Sequence, residues 1–280
     1  MGIENMRNEI AVRIGFFLGI FALVAIWELI APRRALTTSK TWRWVSNMGI
    51  TILSPLVLYL VFPVLAVGMA FKAQESGWGL LNNYNLPYWL AVVVGVVVLD
   101  FVIYIQHVMF HAVPALWRLH MVHHADLDFD VTTGLRFHPI EIMLSMVIKL
   151  AVIVVLGPSA LAVMIFEVVL NGTAMFNHGN IRLPLNIDRV LRLLVVTPDM
   201  HRVHHSVLPR EANTNFGFNL PWWDRLFGTY RAQPTGGHEG MTIGLGQFRD
   251  AKRLTLPWML ALPFIGKTGN YPIGGRGGRE

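Results

Sequence analysis

The sequence predicts an all-α, multi-pass membrane protein with a histidine-rich helical cap on the cytoplasmic side. Three observations lead to this prediction: an apolar composition, several long uncharged segments, and closely spaced histidines beside them. Of 280 residues, 54% are hydrophobic and only 14% are charged, whereas charged residues make up about 25% of a typical soluble domain. This composition excludes a disordered chain and disfavours an ordinary soluble enzyme. We expect residues 1–280 to form a single integral membrane domain.

The first three apolar segments each predict one membrane helix, over residues 10–30, 49–71 and 88–111. Each is at least about 20 residues long, the length that crosses the hydrocarbon core of a bilayer. Pro55 and Pro63 interrupt the second segment, but a membrane helix tolerates proline. The chain is therefore expected to cross the membrane three times before its histidine-rich region.

Residues 140–175 predict a helical hairpin, because Gly157-Pro158 divides this apolar stretch into two arms of similar length. The hairpin is either fully spanning or re-entrant, and in both cases the chain returns to the side that it left. Lys149 makes a full span of the first arm less favourable, since a lysine at the bilayer centre costs about 2.5–3.5 kcal/mol. Further along, we expect a short interfacial segment at 254–265 and a disordered tail at 274–280.

The loop after the first helix contains no acidic residue and four basic residues: Arg33, Arg34, Lys40 and Arg43. The next loop, residues 72–85, contains one basic and one acidic residue. Because cytoplasmic loops carry an excess of Lys and Arg, we predict that the histidine-rich region faces the cytoplasm, at a bacterial inner membrane or the endoplasmic reticulum. The net charge of +6 is attributed to contacts with anionic lipid headgroups, and no nucleic-acid partner is expected.

Eight histidines form three boxes with spacings of three and four residues: His107 and His111; His120, His123 and His124; His201, His204 and His205. On a helix these spacings place side chains on one face, where two imidazoles can bind one metal ion. The adjacent histidine of each HxxHH box points further round the helix and can reach a second ion. Thr197-Pro198-Asp199 has the composition of a helix start, which predicts a short helix for the third box. His138 and His178 flank the hairpin and are candidates to complete the coordination.

The chain contains no cysteine, which excludes thiolate-held zinc and iron–sulfur clusters. Imidazole suits iron, zinc, copper and nickel, and catalytic zinc usually takes only three protein ligands. Eight to ten histidines fit two higher-coordinate ions better. We therefore predict two iron ions as cofactors, with zinc as a substitute acquired during purification.

Three polar residues are predicted to support the metal ligands by hydrogen bonding: Asp100, Asp199 and Asn177. Each has an alternative role, because Asp100 could pair with an arginine, Asp199 could stabilise the start of its helix, and Asn177 could form part of a turn. His238 has no partner at ligand spacing and is expected at the surface. No catalytic residue is predicted beyond the metal ligands.

The series of boxes, the FHPIE and NHGN elements between them and the WDRLFGTY run at residues 223–230 resemble the fatty acid hydroxylase/sterol desaturase superfamily. Within it, the pattern is similar to alkylglycerol monooxygenase-like members. The resemblance covers residues 100–230, the expected catalytic region. It implies a non-haem diiron oxygenase whose ligands are the ten histidines of the boxes and their flanks: His107, His111, His120, His123, His124, His138, His178, His201, His204 and His205.

The function expected from this resemblance is O2-dependent hydroxylation or desaturation of a sterol, fatty acyl or alkylglycerol-type lipid. The sequence shows no cytochrome b5 motif and no GxGxxG between a strand and a helix. Electrons are therefore expected from an external ferredoxin, cytochrome b5, reductase or reduced pterin. A zinc hydrolase is the first alternative, although the chain lacks HExxH. A metal transporter is the second, although its ligands would lie in mid-span.

Overall fold

The computed structural model describes residues 3–273, and within this part the chain is helical, with two isolated bridges and no strand. The prediction of an all-α fold is therefore confirmed, whereas the tail at 274–280 lies outside the described residues. Two short 3-10 helices cover Thr133–Leu135 and Ala251–Leu254. The α-helices are α1 (Ile3–Ile30), α2 (Lys40–Val61), α3 (Ala66–Glu75), α4 (Leu80–Asn83), α5 (Tyr88–Ala112), α6 (Pro114–His124), α7 (Pro139–Leu156), α8 (Ala160–Asn177), α9 (Leu185–Leu191), α10 (Pro198–His204), α11 (Pro209–Ala212), α12 (Trp222–Leu226), α13 (Gly237–Gly240) and α14 (Leu256–Ile265).

Five helical segments are long and apolar enough to cross a membrane: Glu9–Ile30, Lys40–Asn83, Tyr88–Ala112, Pro139–Leu156 and Ala160–Asn177. The second of these is not the single helix expected over 49–71. Helix α2 ends at Val61 and α3 begins at Ala66. Phe62 is extended, with φ −106° and ψ 113°, because the ring of Pro63 disfavours helical backbone at the preceding residue. Pro55, by contrast, lies inside α2.

Helices α7 and α8 form the predicted hairpin, and each arm is 18 residues long, or about 27 Å. Gly157 ends α7 in the left-handed conformation, with φ 67° and ψ 42°, which glycine adopts without strain. The Ser159 hydroxyl then caps α8 by accepting from the Ala162 N–H at 3.2 Å. Both outer ends of the hairpin lie beside the histidine-rich region, so the chain returns to the side that it left.

Lys149, which makes a full membrane span of the first hairpin arm less favourable, forms an ion pair in the structure. Lys149 Nζ lies 2.5 Å from Glu167 Oε1 on α8, and Arg13 of α1 contacts the other oxygen of the same carboxylate. Arg13 also pairs with Glu9 at 2.9 Å. Two cations and two anions therefore neutralise one another between three apolar helices, which reduces the penalty of burying Lys149.

Substituting Glu167 is expected to lower the stability more than substituting either cation that it pairs with. Glu167→Gln leaves Lys149 and Arg13 facing each other without an anion, and breaking a buried pair in this way costs about 3–5 kcal/mol. Lys149→Met still leaves Glu167 paired with Arg13. Thermal unfolding in detergent should therefore show a larger loss for Glu167→Gln than for Lys149→Met. Equal losses would contradict a shared carboxylate.

We call residues 113–138 and 178–273 the cap, and buried ion pairs join it to the start of α2. Arg43, which is 1% exposed, donates to Asp126 Oδ1 and Asp130 Oδ2, each at 2.7 Å. Asp128 accepts from the backbone N–H groups of Thr37 at 2.9 Å and Thr38 at 2.8 Å. Burial alone would raise the pKa of Asp126, but Arg43 and Arg136 hold it well below its usual range.

Two cations of the basic segment after α1, Arg33 and Arg43, pair with carboxylates and do not face lipid headgroups as expected. Arg43 is buried among aspartates, and Arg33 pairs with Asp199 at 3.2 Å and with Glu239 at 2.9 Å. The reason is that the cap supplies carboxylates for cations that look unpartnered in the sequence. The expected interfacial segment packs against the rest of the cap, since Met259 and Leu262 of α14 are buried in a core cluster with Trp117 of α6.

Candidate metal centre

Three cap-side helix segments present the histidine boxes. The first box lies in the last two turns of α5, and α6 begins two residues later with a first-turn proline and carries the second box. The third box lies at the end of α10. Thr197 caps α10 as predicted, because its hydroxyl accepts from the Met200 N–H at 3.4 Å and Pro198 takes the first helical position. Sequence-local signals thus account for the helices on which these histidines lie.

Nine of the ten predicted ligands lie in two groups, and within each group the candidate ligand atoms lie within 4.8 Å of one another. All nine side chains are at most 3% exposed. The five-histidine group contains His107, His111, His120, His124 and His204. The four-histidine group contains His123, His178, His201 and His205.

Each HxxHH box is divided between the two groups. In the second box, the first and last histidines belong to the five-histidine group and His123 belongs to the other. In the third box, the first and last belong to the four-histidine group and His204 crosses to the first. Residues four apart lie on the same helix face, whereas the one between them is rotated by about 100°. This arrangement agrees with the expectation that adjacent histidines reach separate ions.

Hydrogen bonds to backbone carbonyls determine which ring nitrogen carries the proton. His107 Nδ1 donates to the Phe216 carbonyl and His204 Nδ1 to the Thr214 carbonyl, each at 2.7 Å. Because a carbonyl only accepts, Nε2 of both rings retains a lone pair. Nε2 of His204 is buried and has no hydrogen-bond partner in the described part of the chain. A buried acceptor without a donor is unfavourable, and a bound cation would satisfy it.

His178 shows the same feature at the centre of the four-histidine group. Its Nδ1 donates to the Ala174 carbonyl at 2.7 Å, so its Nε2 is also unprotonated. That Nε2 lies 3.1–3.2 Å from the Nε2 atoms of the other three members: His123, His201 and His205. A spacing near 3 Å is expected for neighbouring ligands at metal–nitrogen distances of about 2.0–2.1 Å. The donor sets of both groups therefore fit metal ions.

The protonation state of the histidines agrees with ligation. Burial lowers the pKa of His120 and of His178 to about 3. Burial and the neighbouring imidazoles also lower the pKa of His123 and His204 well below its usual range. These rings are neutral at pH 7, which is the form that binds metal.

Acid should destabilise the metal-free protein through these histidines. In the unfolded chain each ring takes up a proton below pH 6.5, whereas in the folded chain His120 and His178 stay neutral down to about pH 3. Their contribution is therefore complete above pH 6.5 and declines below it, by about 1.4 kcal/mol per histidine and pH unit. The melting temperature of chelator-treated protein should be lower at pH 5.5 than at pH 8. Equal values at the two pH values would contradict this.

His138 is the predicted ligand that the structure does not bring to either group. It caps α7, with Nδ1 accepting from the Ile140 N–H at 3.2 Å, and its Nε2 lies 3.3 Å from the Leu260 carbonyl. Both ring nitrogens are therefore engaged, which leaves no free lone pair for a metal. His138 is 4% exposed, so its burial has a structural explanation.

The three predicted supporting residues hydrogen-bond elsewhere. Asp100 accepts from Trp223 Nε1 at 2.7 Å, and Asn177 donates to the Phe218 carbonyl at 2.9 Å. Asp199 pairs with Arg33 and Arg202, so its environment resembles the helix-start alternative more than a contact to a ligand. His238, expected at the surface, is only 5% exposed and lies 3.6 Å from Asp199. In the described chain none of the three bonds a histidine of the two groups.

Two side chains that sequence reasoning did not single out do contact the ligands. Glu141 Oε1 lies 2.6 Å from His120 Nδ1, and Asn213 Oδ1 lies 3.0 Å from His111 Nδ1. Glu141 had a signal, because it is an acid at the start of an apolar helix, within FHPIE. Asn213 had none, since it lies outside the boxes and meets His111 only through the fold.

Residues 92–229 match the family model described as fatty acid hydroxylase, and this range includes all nine grouped histidines. This region of the chain is similar to the fatty acid hydroxylase family. The resemblance noted from the boxes is thereby confirmed. No solved structure gives a significant match to the chain.

Curated proteins similar to this chain include two named lipid enzymes. The chain is 26% identical over 226 residues to ornithine lipid hydroxylase OlsE of Rhizobium tropici, covering 78% of this chain and 66% of that protein. It is 28% identical over 185 residues to human alkylglycerol monooxygenase, covering 62% of this chain and 39% of that protein. It is 27% identical over 223 residues to alkylglycerol monooxygenase of Xenopus tropicalis, covering 74% of this chain and 47% of that protein. The chain thus spans about two thirds of the first relative and less than half of the others.

Proposed function

We propose that this protein is a membrane-bound non-haem diiron oxygenase that uses O2 to hydroxylate or desaturate a lipid. The observation that carries the proposal is the pair of adjacent buried histidine groups, with five and four ligand nitrogens. Bound there, two iron ions would supply the reduction of O2 and the removal of hydrogen from an unactivated C–H bond. The family match and the named relatives, a lipid hydroxylase and a monooxygenase, favour hydroxylation.

The protein's contribution is to keep the ligand nitrogens unprotonated, fixed and shielded from water. Carbonyl acceptors orient His107, His178 and His204, as described above. Aromatic rings pack against the groups: the Phe137 ring stacks 4.4 Å from that of His123, and Phe129 stacks 5.3 Å from His178. Excluding water from such a site prevents side reactions of the oxidant.

Substrate is proposed to enter from the bilayer. The five-histidine group begins at the cap-side end of α5, directly beyond an apolar stretch of that helix. An acyl, alkyl or sterol chain would therefore reach the histidines without leaving the apolar phase. Inserting one oxygen atom of O2 while the other leaves as water requires two electrons and two protons. We propose an external ferredoxin, cytochrome b5, reductase or reduced pterin as their source.

The function is tested by metal content and product. Full-length protein, purified in detergent and reconstituted with Fe(II), should contain about two irons per chain and consume O2 when a chemical reductant and membrane lipid are added. Lipid mass spectrometry should then show a gain of one oxygen or a loss of two hydrogens. One zinc per chain that resists exchange, together with no O2 consumption, would instead support the hydrolase alternative.

The cap is proposed to face the cytoplasm, and the absence of native cysteine allows a clean test. Ser76 lies after α3 at the end of the bundle away from the cap, and Gln233 lies in the cap; both are exposed. In intact bacterial cells, a membrane-impermeant thiol reagent should label Ser76→Cys. Gln233→Cys should be labelled only after permeabilisation. The reverse pattern would place the cap outside.

A further inference from the structure

The two histidine groups differ in the hydrogen bonds that the Nδ1 atoms of their rings form. In the five-histidine group, four rings have an Nδ1 partner: the Phe216 and Thr214 carbonyls, Asn213 and Glu141. In the four-histidine group, His178 alone has such a partner, the Ala174 carbonyl. Nδ1 of its other members, His123, His201 and His205, has no hydrogen-bond partner among the described residues. The first group is therefore more rigidly oriented than the second.

With a cation bound in the five-histidine group, Glu141 would add charge to this difference. Its carboxylate is 4% exposed, and its Oε1 lies 2.6 Å from His120 Nδ1. Within residues 3–273 its Oε2 has no hydrogen-bond partner, no Arg or Lys pairs with the carboxylate, and its contact with His120 is to a neutral ring. A buried anion without a nearby Arg or Lys is unfavourable unless positive charge is supplied another way. An ion bound to His120 Nε2 would supply that charge through the ring.

A carboxylate that accepts a hydrogen bond from Nδ1 of a ligand histidine strengthens the bond between that histidine and the metal. It fixes the ring orientation and the Nδ1–H tautomer, and it raises the basicity of the nitrogen that faces the metal. Asn213 and the carbonyls orient their rings but carry no net charge. The five-histidine group thus combines one more donor, more fixed rings and one anion, whereas the four-histidine group has none of these advantages.

We propose that the two metal positions are inequivalent, with Glu141 as the positioning residue that makes the five-histidine group the tighter one. The four-histidine group is then the position from which an ion exchanges first. This inference rests on the proposed function only in assuming that each group holds one ion. It assigns no identity to the metal and can be tested without turnover.

The experiment follows zinc release from full-length, detergent-purified protein loaded with two Zn(II) per chain, using a chromogenic chelator. Wild type should release its zinc in two phases of equal amplitude. Glu141→Gln removes the charge and keeps an oxygen acceptor for His120, so the slow phase should accelerate about 10–100-fold while the fast phase stays unchanged. His204 and His201 lie on the same short helix, α10, but belong to different groups. His204→Ala should remove the slow phase, and His201→Ala should remove the fast phase.

Glu28→Gln is the matched control. Glu28 is a buried carboxylate, 5% exposed, that accepts from the backbone N–H groups of Val131 at 2.7 Å and Asn180 at 2.8 Å. Like Glu141 it has one oxygen without a partner among the described residues, and its hydrogen bonds there go to Val131 and Asn180, not to a histidine of either group. This variant should keep both release rates. If Glu141→Gln does not fold, Asn213→Ala provides a second test, because it loosens His111 and should accelerate the slow phase alone.

The outcomes separate this inference from the proposed function. Two ions released at one rate, or a Glu141→Gln effect confined to the fast phase, would overturn the inequivalence and leave the two-metal site intact. Equal acceleration by Glu28→Gln would show a general effect of removing a buried carboxylate and would also overturn it. A wild-type protein that cannot be loaded with two ions would overturn both proposals.

Discussion

His178→Ala is expected to remove the ion from the four-histidine group and to lower turnover by more than about 100-fold, the upper range for losing even an outer partner of a metal ligand. Its Nε2 lies within 3.2 Å of the Nε2 atoms of all three other members, so its removal takes away the nitrogen that all three have as a neighbour and leaves the group with three ligands. Iron content should fall from about two to about one per chain, and O2 uptake in the presence of lipid should cease. The apolar helices should still insert.

His138→Asn is the control for this prediction. His138 lies on a cap-side helix end as His178 does and is equally hidden from solvent, but it caps α7 and joins neither group. Asparagine preserves an N-cap acceptor, so α7 should be retained. We expect unchanged iron content. Loss of iron as large as that of His178→Ala would show that the ligand set proposed here is incomplete.

Arg43→Met is expected to destabilise the cap by about 3–5 kcal/mol, because it leaves Asp130 buried without its arginine and Asp126 with only Arg136, at 3.9 Å. Arg43 is the bidentate partner of Asp126, with Nε and Nη2 donating at 2.7 and 2.9 Å. Asp126 follows the second histidine box by two residues, so loosening this segment should also disturb the ligands. The melting temperature and the metal content should fall together.

Two further variants are controls for Arg43→Met. Arg43→Lys keeps the positive charge but lacks the planar fork, so its stability should lie between those of wild type and Arg43→Met. Arg189→Met removes an arginine that is exposed on α9 and should change the melting temperature little. A melting temperature for Arg43→Met equal to that of Arg189→Met would contradict a structural role for the buried ion pairs.

Features that depend on short stretches of sequence were predictable. The apolar runs, the break at Gly157 and the start of α10 at Thr197 and Pro198 all follow from composition and local backbone preference. The spacing of the boxes indicated correctly that adjacent histidines belong to different groups. The division of the segment at 49–71 could also be anticipated from Pro63, but tolerance of proline in membrane helices argued the other way.

Features that depend on residues far apart in the chain were not predictable. The sequence suggested that Asp100 supports a ligand, yet its carboxylate bonds Trp223, more than 100 positions later. Lys149 looked unfavourable until α8 and α1 placed Glu167 and Arg13 around it. The basic residue Arg43 looked lipid-facing until the cap provided aspartates. In each case the charged side chain was judged from the sequence without its partner.

The sequence by itself determined that this chain is an apolar helical protein with histidines grouped on helix faces, because helical periodicity and burial tendency act over a few residues. The tertiary structure decided which five and which four histidines share a group. It also decided that His138 is engaged elsewhere and that Glu141 lies behind His120. Those outcomes depend on how α5, α6, α7 and α10 pack against one another, and no local spacing contains that information.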